Sequence, residues 1–259
     1  MSDLQGKFVW YELLTTDTAA AEKFYGSVVG WIAKPMDMGD MIYTIFDVAG
    51  AGRGIAGMMP LPDELKSMGV PPNWTGYVYV DDVDATAKTF ADNGGTVRRP
   101  PADIPTVGRF AIVADPQGAV LAIFKPLPQE NPPSEPTMTP GFIGWHELYA
   151  ADWSTAFDFY AKVFGWTKDQ AMDMGEMGTY QTFAHNGTMI GGMMTKTPNV
   201  PMPCWGYYFI VDHIDKGVDR VKAGGGMLLN GPMEVPGGSF VAQCTDPQGA
   251  FFSIMGPRA

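Results

Sequence analysis

The feature that most constrains this chain is an internal repeat. Trp10, Glu12, Leu13 and Asp17 are followed by Phe24-Tyr25, Gly30-Trp31 and, much later, the run D-P-Q-G-A over 115–119. The same order returns as Trp145, Glu147, Leu148 and Asp152, then Phe159-Tyr160, Gly165-Trp166 and D-P-Q-G-A over 246–250. The offset is 135 at the glutamates (147 − 12) and 131 at the aspartates (246 − 115), so the second copy is four residues shorter between these landmarks. A repeat of this length predicts two copies of one folding unit. Function is then sought in what the copies share and where they differ.

The copies meet at 125–140, KPLPQENPPSEPTMTP, whose six prolines and lack of apolar period predict an extended linker. This places a first domain over 1–126, a proline-rich linker over 127–140 and a second domain over 141–259. In the first domain Phe8–Leu14 reads as a strand and Asp17 as a helix N-cap. The helix carries Ala20, Ala21, Phe24, Tyr25 and Val28 on one face and stops at Gly30. A hairpin follows around 41–48 and 54–59, with the methionine-rich loop M-D-M-G-D-M (36–41) before it. The order then restarts with a strand at 77–80, a helix capped by Asp81 or Asp82, and strands flanking the D-P-Q-G turn. The second half repeats the pattern, its loop being M-D-M-G-E-M (172–177). Four strand–helix–strands modules predict an α+β protein with helices on the outer face of curled, mixed sheets, the other face enclosing a cavity.

Composition excludes several classes. A formal net charge of −11 and no basic cluster beyond Arg98-Arg99 argue against nucleic acid as a partner. No run approaches the roughly 18 apolar residues of a spanning helix, so no membrane contact is expected. The opening MSDLQGKFVW lacks the pattern of a signal peptide. Cys204 and Cys244, the only cysteines, read as reduced thiols rather than a cross-strand pair, which points to the cytoplasm. A monomer with internal pseudo-symmetry is expected, with a homodimer as the alternative.

Paired modules, a strand–Asp–helix unit ending F-Y-x-x-x-x-G-W, the step V-D-D-V-D (80–84; V-D-H-I-D at 211–215) and the D-P-x-G turn together resemble the vicinal oxygen chelate superfamily. Its members include glyoxalases, bleomycin resistance proteins and extradiol dioxygenases. The resemblance implies a divalent metal held on the inner sheet face. The positions it points to are Trp10 and Trp145 on the opening strands, Thr75 and Gly206 before the second helices, and Ala122 and Ser253 on the closing strands. None offers the imidazole, carboxylate or thiolate that such metals take, so no metal ligand and no cofactor are expected. The histidines, His146, His185 and His213, all lie in the second copy. His146 and Glu147 are neighbours on a strand and face opposite ways, which disfavours a dioxygenase triad.

Strand alternation puts Glu12 on the face of Trp10, and Glu147 on the face of Trp145. A carboxylate between Trp and Leu in an apolar trough suits a general base or acid, making Glu12 and Glu147 the candidate catalytic residues; a structural glutamate is the competing reading. The resemblance adds Tyr77, Tyr79, Tyr208, Phe124, Phe251, Ser253 and Met255 as inner-face residues. Gln243, where the first copy has Ile112, is a polar intrusion able to orient a ligand. Methionine-lined rims favour a loosely specific apolar or aromatic small molecule, with core filling as the alternative for Met58-Met59 and Met193-Met194. Two functions follow: a metal-free small-molecule binder of the bleomycin-resistance type, or a lyase or isomerase acting on a small carbonyl compound with a glutamate as base.

Overall fold

The computed structural model describes residues 2–39, 41–128 and 138–258. Most of the linker, 129–137, lies outside them. Each half of the sequence builds one eight-stranded mixed sheet. The first contains β1 (Phe8–Thr15), β2 (Ile32–Asp37), β3 (Ile42–Asp47), β4 (Gly54–Pro60), β5 (Asn73–Tyr79), β6 (Thr96–Ile104), β7 (Gly108–Ala114) and β8 (Val120–Pro126). Its order is β2-β3-β4-β1-β5-β8-β7-β6. The second contains β9 (Ile143–Ala150), β10 (Thr167–Asp173), β11 (Thr179–His185), β12 (Thr188–Thr195), β13 (Cys204–Ile210), β14 (Met227–Glu234), β15 (Phe240–Thr245) and β16 (Phe251–Gly256). Its order, β10-β11-β12-β9-β13-β16-β15-β14, is the same permutation. Neither sheet closes into a barrel.

The helices start and stop where the sequence expects. In α1 (Thr18–Val29) the Asp17 carboxylate accepts from Ala20 N, and in α4 (Trp153–Phe164) that of Asp152 accepts from Thr155 N; Gly30 and Gly165 end them in the left-handed conformation. Asp82, rather than Asp81, caps α3 (Val83–Asp92), and His213 caps α5 (Ile214–Ala223), its ring accepting from Asp215 N. A short α2 (Asp63–Ser67) follows β4. Among the described residues no helix is long and apolar enough to cross a membrane.

Compactness divides the chain differently from the sheets. One unit gathers Met1–Val9, Thr75–Glu135 and Trp145–Gly206; the other gathers Trp10–Trp74, Pro136–Gly144 and Tyr207–Ala259. Each unit therefore combines a module from each half. In the first, α3 packs on α4, with Phe90 edge-on to Phe159 at 5.0 Å. In the second, α1 packs on α5.

The repeated motifs are spent on these two cores. In the second unit Trp74 Nε1 donates to the Tyr25 hydroxyl (2.8 Å), which donates to Asp246 of the D-P-Q-G turn (3.0 Å). In the first, Trp205 Nε1 donates to Tyr160 (3.2 Å), and Tyr160 to Asp115 (3.1 Å). Burial raises the carboxyl pKa of both Asp115 and Asp246, opposed by the hydrogen bonds each accepts. The G-W indoles act alike: Trp31 Nε1 donates to Gly141 O, and Trp166 Nε1 to Gly6 O, both at 2.7 Å.

Candidate functional site

The site is built on the opening strand of each half. Burial along β1 alternates, with Tyr11, Leu13 and Thr15 buried and Trp10, Glu12 and Leu14 half-buried on the other face. In the second unit Glu12 stands in register with Gly57 of the parallel strand β4. The missing side chain at Gly57 leaves room for the phenol of Tyr43, from β3; a Cβ there would overlap its hydroxyl. The Tyr43 hydroxyl accepts from Trp10 Nε1 (3.1 Å) and donates to Glu12 Oε2 (3.1 Å). Burial, and then the Glu12 charge, push the Tyr43 pKa far above the usual phenol value, so it stays a neutral donor.

The first unit repeats the arrangement with one change. Glu147 pairs in register with Gly192 of β12, and the ring of Tyr180, from β11, lies over that glycine. Trp145 Nε1 donates to the Tyr180 hydroxyl at 2.9 Å. Here Glu147 is buried and accepts from the Tyr149 hydroxyl, two residues along its own strand, where the first copy has Leu14. Cys204, half-buried, has its thiol pKa raised to about 11, chiefly by burial and then by the charge of Glu147. It and Cys244 are both free thiols.

The remaining predicted residues fall into two groups. In the first unit Tyr77 lies nearly parallel to Phe110 and meets Phe124 edge-on at 6.0 Å. Tyr79, half-buried, holds Lys7 O and Gly6 N through its backbone. In the second unit Tyr208 pairs in register with Ser253, and Gln243 with Ser253 from the other side. The Ser253 hydroxyl is fully buried with no hydrogen-bond partner among the described residues. Gln243 accepts from Asn230 Nδ2 (3.3 Å), while Phe251 and Met255 are half-buried on the same strand as Ser253. The methionines divide: Met58, Met193 and Met194 are core, whereas Met36, Met38, Met174 and Met177 are exposed.

The histidines have structural partners. His146 stacks flat on Phe8 at 3.8 Å and its Nδ1 meets Ile190 O at 2.6 Å. Burial lowers its pKa to about 3, so it is held neutral. His185 Nε2 meets Gln5 O at 3.0 Å.

The donor chemistry at the family's metal positions does not fit a divalent cation. Trp10 and Trp145 supply indoles whose nitrogen is a donor without a lone pair to give, and both N–H groups are engaged by tyrosines. Among the described residues no group of three or more His, Cys, Asp or Glu is placed to hold a metal ion. The residues that the sequence did not single out are Tyr43, Tyr180, Tyr149 and the two glycines. Aligning I-Y-T-I-F with T-Y-Q-T-F, and the two G-M-M triplets, marks all of them except Tyr149.

Comparison with known proteins agrees with the duplicated fold. Residues 7–123 and 142–254 match the model of the Glyoxalase/Bleomycin resistance protein/Dioxygenase superfamily. A relative in Mycobacterium tuberculosis, named "Putative glyoxylase CFP32", is 33% identical over 258 residues, covering 98% of this chain and 95% of the relative. The anthracycline biosynthesis protein DauV of Streptomyces sp. is 32% identical over 263 residues, covering 96% and 93%. The Mn(II)-bound glyoxalase of Novosphingobium aromaticivorans superposes with a TM-score of 0.64 at 16% identity, covering 99% of this chain and 83% of that one. The 2,3-dioxygenase LapB of Pseudomonas does so with 0.66 at 13% identity, covering 99% and 94%. The duplicated modules, their strand order and the match over both halves place this chain in the glyoxalase/bleomycin resistance protein/dioxygenase superfamily.

Proposed function

We propose that the protein binds a small apolar or aromatic molecule on the inner faces of its sheets, without a bound metal. One observation carries the reading. In both units an indole, a phenol and a carboxylate occupy the region where the family resemblance puts metal ligands. In the second unit they are linked in one chain through Tyr43; in the first they are held by two separate tyrosines, Tyr180 on Trp145 and Tyr149 on Glu147. Such a surface offers flat apolar area with a few fixed polar groups, the composition of a small-molecule site. The naming of DauV for anthracycline biosynthesis accords with a polycyclic aromatic ligand. Two free thiols support a reducing, cytoplasmic setting. The test is a thermal-shift screen of aromatic compounds on metal-stripped protein, in which at least one compound raises Tm. A transition metal that co-purifies in stoichiometric amount and is needed for every shift overturns the reading.

A second reading is favoured by Glu147. It is buried against a tyrosine hydroxyl, and CFP32 is named as a glyoxylase. In that reading Glu147 takes the proton from a hydroxyl-bearing carbon next to a carbonyl and returns it to the former carbonyl carbon. The hydroxyl proton passes to the carbonyl oxygen, an isomerisation with no net redox change. Glu147→Gln then lowers kcat on a small 2-oxoaldehyde adduct by at least about a hundredfold while Tm is kept. Unchanged turnover in that variant removes the enzyme reading and leaves the binder.

A further inference from the structure

Arg98 and Arg99 lie side by side on β6, an outer edge of the first sheet, in a chain of formal net charge −11. Both are exposed. Three other arginines are committed to carboxylates: Arg109 to Asp84 and Asp103, Arg220 to Asp212, and Arg258 to Asp215. Arg99 instead lays its guanidinium over the Phe110 ring, 4.7 Å from the centroid. That ring lies at 24° to Tyr77 with centroids 6.3 Å apart, and Tyr77 meets Phe124. Arg98, Arg99, Tyr77, Phe110 and Phe124 all belong to the first compact unit. A guanidinium stacked by its face keeps its N–H groups in its own plane, pointing sideways, where a carboxylate takes two of them at once.

The other half shows that folding does not require a cation here. Arg99 pairs across the strands with Ile112, and the equivalent pair, 131 residues on, is Asn230 with Gln243. Those two amides bond each other. The same sheet position is thus closed by a neutral pair in one unit and carries an exposed arginine over the buried Phe110 ring in the other. The register shift between Val97 and Arg99 marks a bulge, a device that re-aims side chains at sheet edges.

We propose that Arg99 recognises a carboxylate carried by the aromatic ligand, whose ring packs against Tyr77, Phe110 and Phe124. This rests on the aromatic-ligand reading above and names the ligand class: an aromatic acid. Tyr77, Phe110 and Phe124 are each buried, with Arg99 over Phe110. The ligand's ring therefore enters at the edge of this cluster beside the guanidinium, which stays on Phe110 and turns its N–H edge to the carboxylate.

The experiment is titration of the full chain with 2-naphthoate and with 2-naphthamide, followed by intrinsic fluorescence and calorimetry, in wild type and Arg99→Gln. Expected is a preference for naphthoate of about tenfold or more, one charge-assisted bidentate pair's worth. In Arg99→Gln that preference disappears, and the naphthamide Kd stays within about twofold of wild type. Equal affinities in wild type, a preference that survives Arg99→Gln, or a variant that loses naphthamide equally each overturn the role of Arg99 and leave aromatic binding standing. Failure of both probes to bind the wild type overturns the aromatic reading, and this proposal with it.

Discussion

Gly57→Ala tests the inner-face arrangement most directly. A methyl at 57 overlaps the hydroxyl of Tyr43, so the phenol must swing away from both its partners. That removes the bonds from Trp10 Nε1 and to Glu12, each 3.1 Å long. The first is an ordinary neutral bond worth about 1 kcal/mol net, the second a bond to a charged group worth about 2. Against this, alanine restricts the unfolded chain and returns about 0.4–1 kcal/mol. The net loss expected is about 2 kcal/mol. In a Tyr43→Ala background there is no phenol to displace, and Gly57→Ala becomes neutral or slightly stabilising. The alanine term is common to both backgrounds and cancels, so the coupling energy of the cycle is about 3 kcal/mol, the two bonds alone, read from urea unfolding of the four proteins by circular dichroism. A Gly57→Ala penalty of equal size in both backgrounds refutes the reasoning, because the cost then arises from the strand itself and not from the tyrosine lying over it.

The core networks and the buried imidazole give two more expectations. Tyr25→Phe strands the Trp74 N–H and takes a donor from Asp246, which costs about 2–4 kcal/mol, and Tyr160→Phe does the same to Trp205 and Asp115; calorimetry on each checks it, and a loss below about 0.5 kcal/mol contradicts the networks. His146 has a folded pKa of about 3 against about 6.5 unfolded, so its contribution to stability is present above pH 6.5 and is lost as pH falls toward 3. The limiting slope is about 1.4 kcal/mol per pH unit. Asp115 and Asp246, with raised carboxyl pKa values, act in the opposite sense: their contribution is present at low pH and is lost as pH rises through the folded values. Comparing stability against pH for wild type and His146→Phe isolates the histidine; identical slopes between pH 4 and 6.5 contradict its burial as the neutral form.

Much of the fold was legible because its signals are local. Asp17 and Asp152 cap helices, Gly30 and Gly165 end them, and both D-P-Q-G turns lie where their prolines put them. Four strands left no such trace: β2, β6, β10 and β14. Each is an outer edge of its sheet and is largely exposed, and three of them contain proline. Without a buried face there is no alternation to read. Met36 and Met172, read from sequence as loop residues, are in β2 and β10 for the same reason. At the site, Trp10 and Glu12 were visible from the period of one strand. Tyr43 was not, because it arrives from β3 over a glycine of β4, a non-local fit that no period encodes. His213 as an N-cap was missed because imidazole is an unusual cap.

The two halves separate scaffold from chemistry. Residues identical in both copies are mostly committed to structure: the caps, the Trp–Tyr–Asp networks and the indoles on backbone carbonyls. A position fixed by such a network cannot vary in one copy without destabilising that unit, so it says little about what either half binds. Among the shared residues, Trp10 with Glu12 and Trp145 with Glu147 are different, since each keeps partial exposure or a hydroxyl partner on an open sheet face. Four unequal positions are Leu14 against Tyr149, Arg99 against Asn230, Ile112 against Gln243 and Ala122 against Ser253. None of these pairs caps a helix or closes a core network. Each changes the charge or the hydrogen-bonding capacity of a face while leaving the strand pairing intact. Duplication thus yields one scaffold with two chemically distinct aromatic faces, one with the Arg99 guanidinium over Phe110 and the other carrying the Asn230–Gln243 amides and the Ser253 hydroxyl. Exchanging Arg99 and Ile112 for the Asn–Gln pair is therefore expected to alter which ligand binds without altering how the chain folds.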